Sequence, residues 1–178
     1  MSALFSPLVL RKLTLENRIV VSPMCQYSAS EGSASDWHLI HLGQLALGGA
    51  GLLCIEATAV EAIGRITPDC LGLYSDDNEA ALRRVLVSLR RHAGTPIAIQ
   101  LAHAGRKASS HSPWEGGKLI AREAGGWLPI APSALPFSTS EPPPREMNTA
   151  DLARVREAFV QAARRCERLG IDAIELHA

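Results

Sequence analysis

The sequence predicts an α/β fold in which parallel strands alternate with helices, and three observations predict it. Four short apolar runs recur, each with β-branched residues: RIVVSPM (18–24), GLLCIEA (51–57), PIAIQLAH (96–103) and IDAIELHA (171–178). They are almost continuously hydrophobic, as strands covered on both faces by helices must be. Three helical patterns fall between them, and this alternation implies right-handed crossovers between parallel strands.

In chain order, LVLRKLTLENR (8–18) reads as a β-hairpin that leads into the first parallel strand. The first helix starts at Asp36 as N-cap and runs through WHLIHLGQLALGG, with Leu39, Leu42 and Ala46 on one stripe. The second begins at Ser75, with Asp76, Asp77 and Glu79 where the positive end of the helix dipole favours acids. Leu82, Val85, Leu86 and Leu89 form its apolar face, and Gly94 and Pro96 are placed to end it. The third starts near Asn148 or Thr149 and reaches Leu169, with Leu152, Val155, Phe159, Ala163 and Cys166 turned inward. Gly170 then takes the left-handed turn position.

Residues 104–147 break the rhythm. The segment is rich in Pro, Gly and Ser and far exceeds an ordinary strand-to-helix connection, so it is expected to be a lid or capping loop. An open sheet of four parallel strands leaves apolar edges, which an eight-stranded barrel of about 250 residues removes by closing on itself. The expectation is therefore one domain over 1–178, the first half of a (β/α)8 TIM barrel, with the 104–147 lid inserted after the third parallel strand.

Composition narrows the function classes. Of the 178 residues, 47% are hydrophobic and 20% charged, which places the chain with globular proteins. Eighteen basic and eighteen acidic side chains cancel, so no net field attracts nucleic acid or an anionic membrane. No apolar run reaches the roughly 20 residues a bilayer span needs. The N-terminal MSALFSPLVLRK lacks a basic-then-apolar signal layout, and a cytoplasmic location is expected. The four cysteines form no C-x-x-C pair; Cys54 and Cys166 sit in apolar patterns and read as buried thiols.

Alternate residues of a parallel strand face opposite sides. Cys54 and Glu56, Ala98 and Gln100, and Ala173, Glu175 and His177 therefore form the axis-facing sets. Glu56, Gln100, Glu175 and His177 are expected to converge near the carboxyl ends of their strands, where barrels of this type place their active sites. For Glu56 and Glu175 the alternative is a hydrogen-bonded polar layer at the barrel centre.

Four segments in order, LENRIVVSPM with SPMCQYSA (22–29), QLAHAGRKA (100–108) and the closing GIDAIELHA, resemble the old yellow enzyme family. Cys25 after Pro-Met, with Tyr27 two residues on, looks like the bacterial branch that includes xenobiotic reductases and thermophilic-like enzymes. The resemblance implies an FMN-dependent ene-reductase on a (β/α)8 barrel, reduced by NADPH or NADH and acting on small α,β-unsaturated carbonyls. It implies that Ser22, Pro23, Met24 and Cys25 pass along the flavin edge, with Cys25 tuning its potential. Ala57 lets the backbone approach the ring, and the Gln100 amide both donates to and accepts from the pyrimidine edge. Tyr27 would contact substrate, and His177, the first histidine of a His-x-x-His pair, would grip the substrate carbonyl oxygen. A tyrosine supplies the proton to the α-carbon. No metal is expected, since His38 and His41 have no third ligand in the sequence. His103 and His111 border the lid without an assigned role, and Arg106 and Lys107 read either as flavin-side or as solvated cations.

The family's second histidine, its proton-donating tyrosine and the phosphate loops of strands seven and eight have no counterpart in these residues. Two readings follow. In one, the chain is the N-terminal half of an FMN ene-reductase, completed by a C-terminal half. In the other, it is an inactive half-barrel that self-associates, or assembles with a complementary half, as a scaffold.

Overall fold

The computed structural model describes residues 2–177. Strands β1 (Leu8–Leu10) and β2 (Leu13–Leu15) form the expected antiparallel hairpin, and Arg11 takes a left-handed φ of 55° in its two-residue turn. The strand expected over 18–24 is paired only at Val20–Val21, β3. Asn17 is the cause on one side: its side-chain oxygen accepts from Ile19 N at 3.0 Å and Gly51 N at 2.9 Å. On the other side Pro23 has no N–H to give to a ladder.

Helix α1 (Asp36–Ala46) follows, then β4 (Leu52–Ala59), α2 (Asp76–His92), β5 (Ile97–Ala102), α3 (Thr149–Leu169) and β8 (Ala173–His177). Between β5 and α3 lie two short strands, β6 (Ile130–Ala131) and β7 (Arg145–Glu146). The main sheet is parallel in the order β3-β4-β5-β8, so the expected α/β topology is present, with β3 and β8 as open edges and the barrel unclosed. Leu53, Ile55, Ile97, Ile99 and Leu101 face the helices and bury themselves against Leu42, Leu82, Val85, Leu86, Leu89, Ala162, Cys166 and Leu169. Burying each such leucine or isoleucine contributes about 1.5–3 kcal/mol.

One helix end differs from expectation. Ser35, not Asp36, is the N-cap of α1; Asp36 is the first helical residue and pairs with Arg84 of α2 at 2.9 Å. Helix α2 ends at His92 with Ala93 as its C-cap at φ −136°, and Gly94 and Pro96 follow as expected. Ser75 does cap α2, its hydroxyl accepting from Asn78 N at 3.1 Å. Helix α3 is held by a capping box between Asn148 and Asp151, and it ends on Gly170 at φ 67°. That box points Asp151 inward, and its neighbour Leu152, expected in the core, is 54% exposed.

Residues 104–147 are a built excursion with short 3-10 turns and the β6–β7 pair. Trp127 Nε1 donates to Ile63 O at 2.9 Å, and Arg106 donates to Leu135 O at 2.6 Å and Ser133 Oγ at 3.0 Å. These bonds tie the excursion to the loop that follows β4 and to itself.

Candidate active site

The carboxyl ends of β4, β5 and β8, with the loop after β3, enclose a cavity of about 420 Å³. Cys25, Ala57, Gln100 and His177 of the expected residues line it. Ser22, Pro23, Met24 and Tyr27 do not: Ser22 and Met24 are exposed, and Tyr27 lies half-buried beside the excursion.

Register explains the convergence. Gln100 pairs with Glu175 across β5 and β8, and Ala102 pairs with His177. Gln100 Nε2 donates to Glu175 Oε1 at 2.7 Å, and Cys54 Sγ lies 3.9 Å from Glu175 Oε2. Burial, aided by Glu175, pushes the Cys54 thiol up to about 11.

Glu56 does not join this set. The ladder between β4 and β5 shifts register between Ile55 and Ala57, so Glu56 is the extra residue of a bulge and Ala57 takes the place opposite Gln100. The Glu56 carboxylate faces α1, where its Oε1 is 3.3 Å from His38 Nε2, and its Oε2 accepts from Gln26 N at 3.0 Å. His38 Nδ1 accepts from Ser35 N at 3.0 Å, which assigns the ring proton to Nε2, facing Glu56. Gln26 in turn bonds Met24 O through Nε2 at 2.9 Å and receives Trp37 Nε1 at 3.0 Å. The bulged acid thus fixes the backbone that presents Cys25.

Tyr27 sits at φ 48°, an uncommon backbone for a non-glycine residue, and Trp114 of the excursion packs edge-on against its ring at 5.2 Å and 85°. Burial raises the Tyr27 phenol above its ordinary value, with smaller contributions from Cys25, Cys70 and Glu56.

Several lining residues had no firm role assigned from the sequence. His103 closes one wall: its Nδ1 accepts from Gly105 N at 3.0 Å and its Nε2 is 2.9 Å from Glu61 Oε1. Burial works to raise the Glu61 carboxyl, but hydrogen bonds from His103 and Arg154 outweigh it and hold it below the usual range. A Cβ on Gly64 would stand 2.8 Å from the His103 ring, so only glycine fits that approach. Arg65 is pinned by Ala62 O at 3.1 Å and Pro68 O at 2.9 Å and lies over the Trp127 ring. Lys107 lines the cavity with its ammonium over Phe137, whereas Arg106 holds the excursion. Cys70 shares the cavity wall with Cys25. His38 and His41 part company: His38 serves Ser35 and Glu56, and His41 stacks on Trp37. Among the described residues no group of three His, Cys, Asp or Glu side chains gathers to hold a metal, and no helix is long and apolar enough to cross a membrane.

The residues present suit a flat, mostly apolar ring system with one polar edge. Ala57, Ala59, Ala102 and Gly64 give the cavity small walls, and Gln100 supplies an amide there. That is the balance a small-molecule or cofactor site shows.

Residues 3–178 match the NADH:flavin oxidoreductase / NADH oxidase family. An NADH:flavin oxidoreductase of Gibberella zeae is 43% identical over 98% of this chain and 43% of its own length. An NADPH dehydrogenase of Geobacillus thermodenitrificans is 45% identical over 99% of this chain and 48% of its own. The chain thus spans about half the length of these relatives. Among solved structures, morphinone reductase in complex with tetrahydroNAD superposes with a TM-score of 0.82 at 30% identity, over 100% of this chain and 50% of that one. The old yellow enzyme homologue from Zymomonas mobilis gives 0.78 at 25% identity, over 99% and 48%.

Proposed function

We propose, from the premise that this chain belongs to the NADH:flavin oxidoreductase / NADH oxidase family, that it supplies the flavin wall and carbonyl grip of an FMN-dependent NAD(P)H oxidoreductase. Its substrates on this reading are α,β-unsaturated carbonyls, reduced at the activated C=C bond. The observation that carries the proposal is the convergence of Cys25, Ala57, Gln100 and His177 on one cavity.

FMN, when bound, supplies hydride chemistry between NADPH or NADH and the alkene. The residues of this chain do the rest. Gln100 has one N–H committed to Glu175, which leaves its amide oxygen and its second N–H for a ring edge that alternates donor and acceptor. Ser22, Pro23 and Met24 form the run that delivers Cys25 to the cavity, with the backbone locked by Glu56 at Gln26. Ala57, at the bulge, keeps a side chain out of the way. His177, at the end of β8 and in the cavity lining, would donate a ring N–H to the carbonyl oxygen of an enone and stabilise the negative charge that develops there. Tyr27, with Trp114 against it, forms the substrate-side rim, and residues 104–147 act as the lid that carries Trp114.

The open edge favours a second element in the reading. On β8, Ile174 and Leu176 are 40% and 66% exposed, an apolar surface that a complementary half-barrel or a second copy would cover. The test is to purify the chain, record copurifying flavin absorbance, measure its mass by light scattering and assay NADPH oxidation with cyclohexenone. A yellow protein that turns over supports the oxidoreductase. A colourless, inactive dimer that takes up no added FMN rejects it and leaves the self-associating scaffold.

A further inference from the structure

Cys70 stands in the wall of the candidate flavin cavity and has no task in the chemistry proposed above. Its sulfur is gripped by Thr67, whose N–H donates to Sγ at 3.3 Å and whose Oγ1 lies 3.4 Å away. Cys25 lines the same cavity wall. The segments that carry the two cysteines are joined by main-chain bonds, from Ala29 N to Asp69 O and from Gly72 N to Gly32 O, each at 2.9 Å. Both thiols are free.

These contacts divide the labour between the sulfurs. The neighbouring Cys25 first, and then hydrogen bonds from Thr67 against the cost of burial, pull the Cys70 thiol below its ordinary range. Cys25, half-buried beside Cys70, is pushed the other way. Cys54 and Cys166 are raised by burial to about 11 and about 12. With Thr67 against its sulfur on the open cavity wall, Cys70 is the candidate nucleophile of the four, and Cys25, on the same wall, the candidate resolving thiol.

We propose that Cys70 and Cys25 are an oxidisable dithiol, which a hydroperoxide converts to a disulfide that withdraws Cys25 from the flavin edge. In the first step the Cys70 thiolate attacks one peroxide oxygen, the O–O bond breaks, hydroxide leaves and Cys70 becomes a sulfenic acid. In the second, the Cys25 sulfur attacks the Cys70 sulfur, the S–O bond breaks, and the departing hydroxide takes the Cys25 proton as water. Two thiols are oxidised, one peroxide is reduced to two waters once the proton released by Cys70 is counted, and an external dithiol reverses the change. The disulfide chemistry stands on the thiol geometry alone; only its consequence for the cofactor rests on the flavin reading.

The test treats the whole chain with hydrogen peroxide, alkylates it with iodoacetamide under denaturing conditions at timed intervals, and maps the peptides. A Cys25–Cys70 linked peptide is expected, formed at least about tenfold faster than any oxidation of Cys54 or Cys166 and erased by dithiothreitol. In Cys25→Ser, dimedone is expected to trap a sulfenic acid on Cys70. A cross-link through Cys54 or Cys166, a link between chains as the main product, or overoxidised Cys70 with no link overturns the dithiol. For the consequence, FMN titrations of reduced and oxidised chain are compared, and at least a tenfold weaker affinity is expected when oxidised. Equal affinity overturns the withdrawal. A reduced chain that takes up no FMN overturns the flavin reading and the withdrawal together, while the peptide map still decides the dithiol.

Discussion

Gln100 Nε2 and Glu175 Oε1 lie 2.7 Å apart across the β5–β8 pair, a contact set by strand register alone. A carboxylate that holds one amide hydrogen also fixes the orientation of the amide, and Gln100 lines the cavity. Glu175→Ala is therefore expected to release the Gln100 carboxamide and weaken FMN binding by roughly tenfold, the equivalent of one charge-assisted hydrogen bond. Fluorescence titration with FMN checks it, and an unchanged affinity in a folded variant rejects the orienting role.

Glu56 makes a different kind of prediction, because its partners are structural. Its carboxylate, 4% exposed, receives Gln26 N and faces His38 Nε2. Glu56→Ala leaves the Gln26 N–H without its acceptor, takes the carboxylate away from His38 Nε2, and is expected to cost about 1–3 kcal/mol in denaturant unfolding. It also frees the Met24–Ser28 backbone, so Cys25 should alkylate faster in the native variant than in the parent. Loss of stability with no change in Cys25 reactivity would separate the packing role from the positioning one.

The fold was legible where one rule acts on one stretch of chain. Apolar runs gave the strands, Ser75 and Gly170 marked helix ends, and the Leu82–Leu89 stripe marked a buried face. Gln100 and His177 were legible as cavity residues because alternation along a regular strand is reliable. Glu56 was misplaced because a single bulge reverses alternation beyond it, and nothing in LLCIEATA announces one. Leu152 was misplaced because the capping box, not the apolar stripe, sets the rotation of the first turn of α3. Cys70 and Gly64 were illegible as site residues and His103 nearly so, since loops following two separate strands bring them together. A weak signal existed for His103 alone, at the carboxyl end of a strand.

Glu79 predicts a pH dependence of stability. Hydrogen bonds from Arg168 and then Arg165, opposed by burial, hold its carboxyl down to about 2. The bonds, 2.6 Å from Arg168 and 2.8 Å from Arg165, clip α2 to α3. A carboxylate whose folded pKa is depressed contributes stability above its ordinary value of 4.5, and that contribution is lost as pH falls toward 2. Glu79→Gln is expected to cost about 1–3 kcal/mol near neutral pH, the lower part of that range reflecting a half-exposed Arg168. The variant's stability should also change less than the parent's between those two pH values. Equal acid sensitivity in parent and variant would remove Glu79 as the cause.

Gly51 tests a close approach that involves no unusual backbone angle. A Cβ there would lie 2.1 Å from Asn17 O, a main-chain atom held in place because Asn17 also bonds Gly51 N, Ile19 N and Gly49 O. Gly51→Ala has to push the β2–β3 connection away from the start of β4, at an expected cost of about 1–3 kcal/mol. Thermal unfolding measures it. A stability equal to that of the parent would mean that the connection yields freely and that β3 is not anchored by Asn17.

Trp114 predicts an effect on function with little effect on stability. It is 72% exposed, and its ring packs on the Tyr27 ring, 5.2 Å away and nearly perpendicular. An edge-to-face pair contributes about 0.5–1.5 kcal/mol, small against the whole fold but comparable to what holds one ring at one angle. Trp114→Ala is expected to leave the unfolding midpoint nearly unchanged and to release Tyr27. If Tyr27 forms the substrate-side rim, KM for a cyclic enone should rise several-fold while kcat holds, because the loss falls on ground state and transition state alike. A fall in kcat at constant KM would instead place Tyr27 in contact with the reacting atoms, and no change in either would detach the 104–147 excursion from the site.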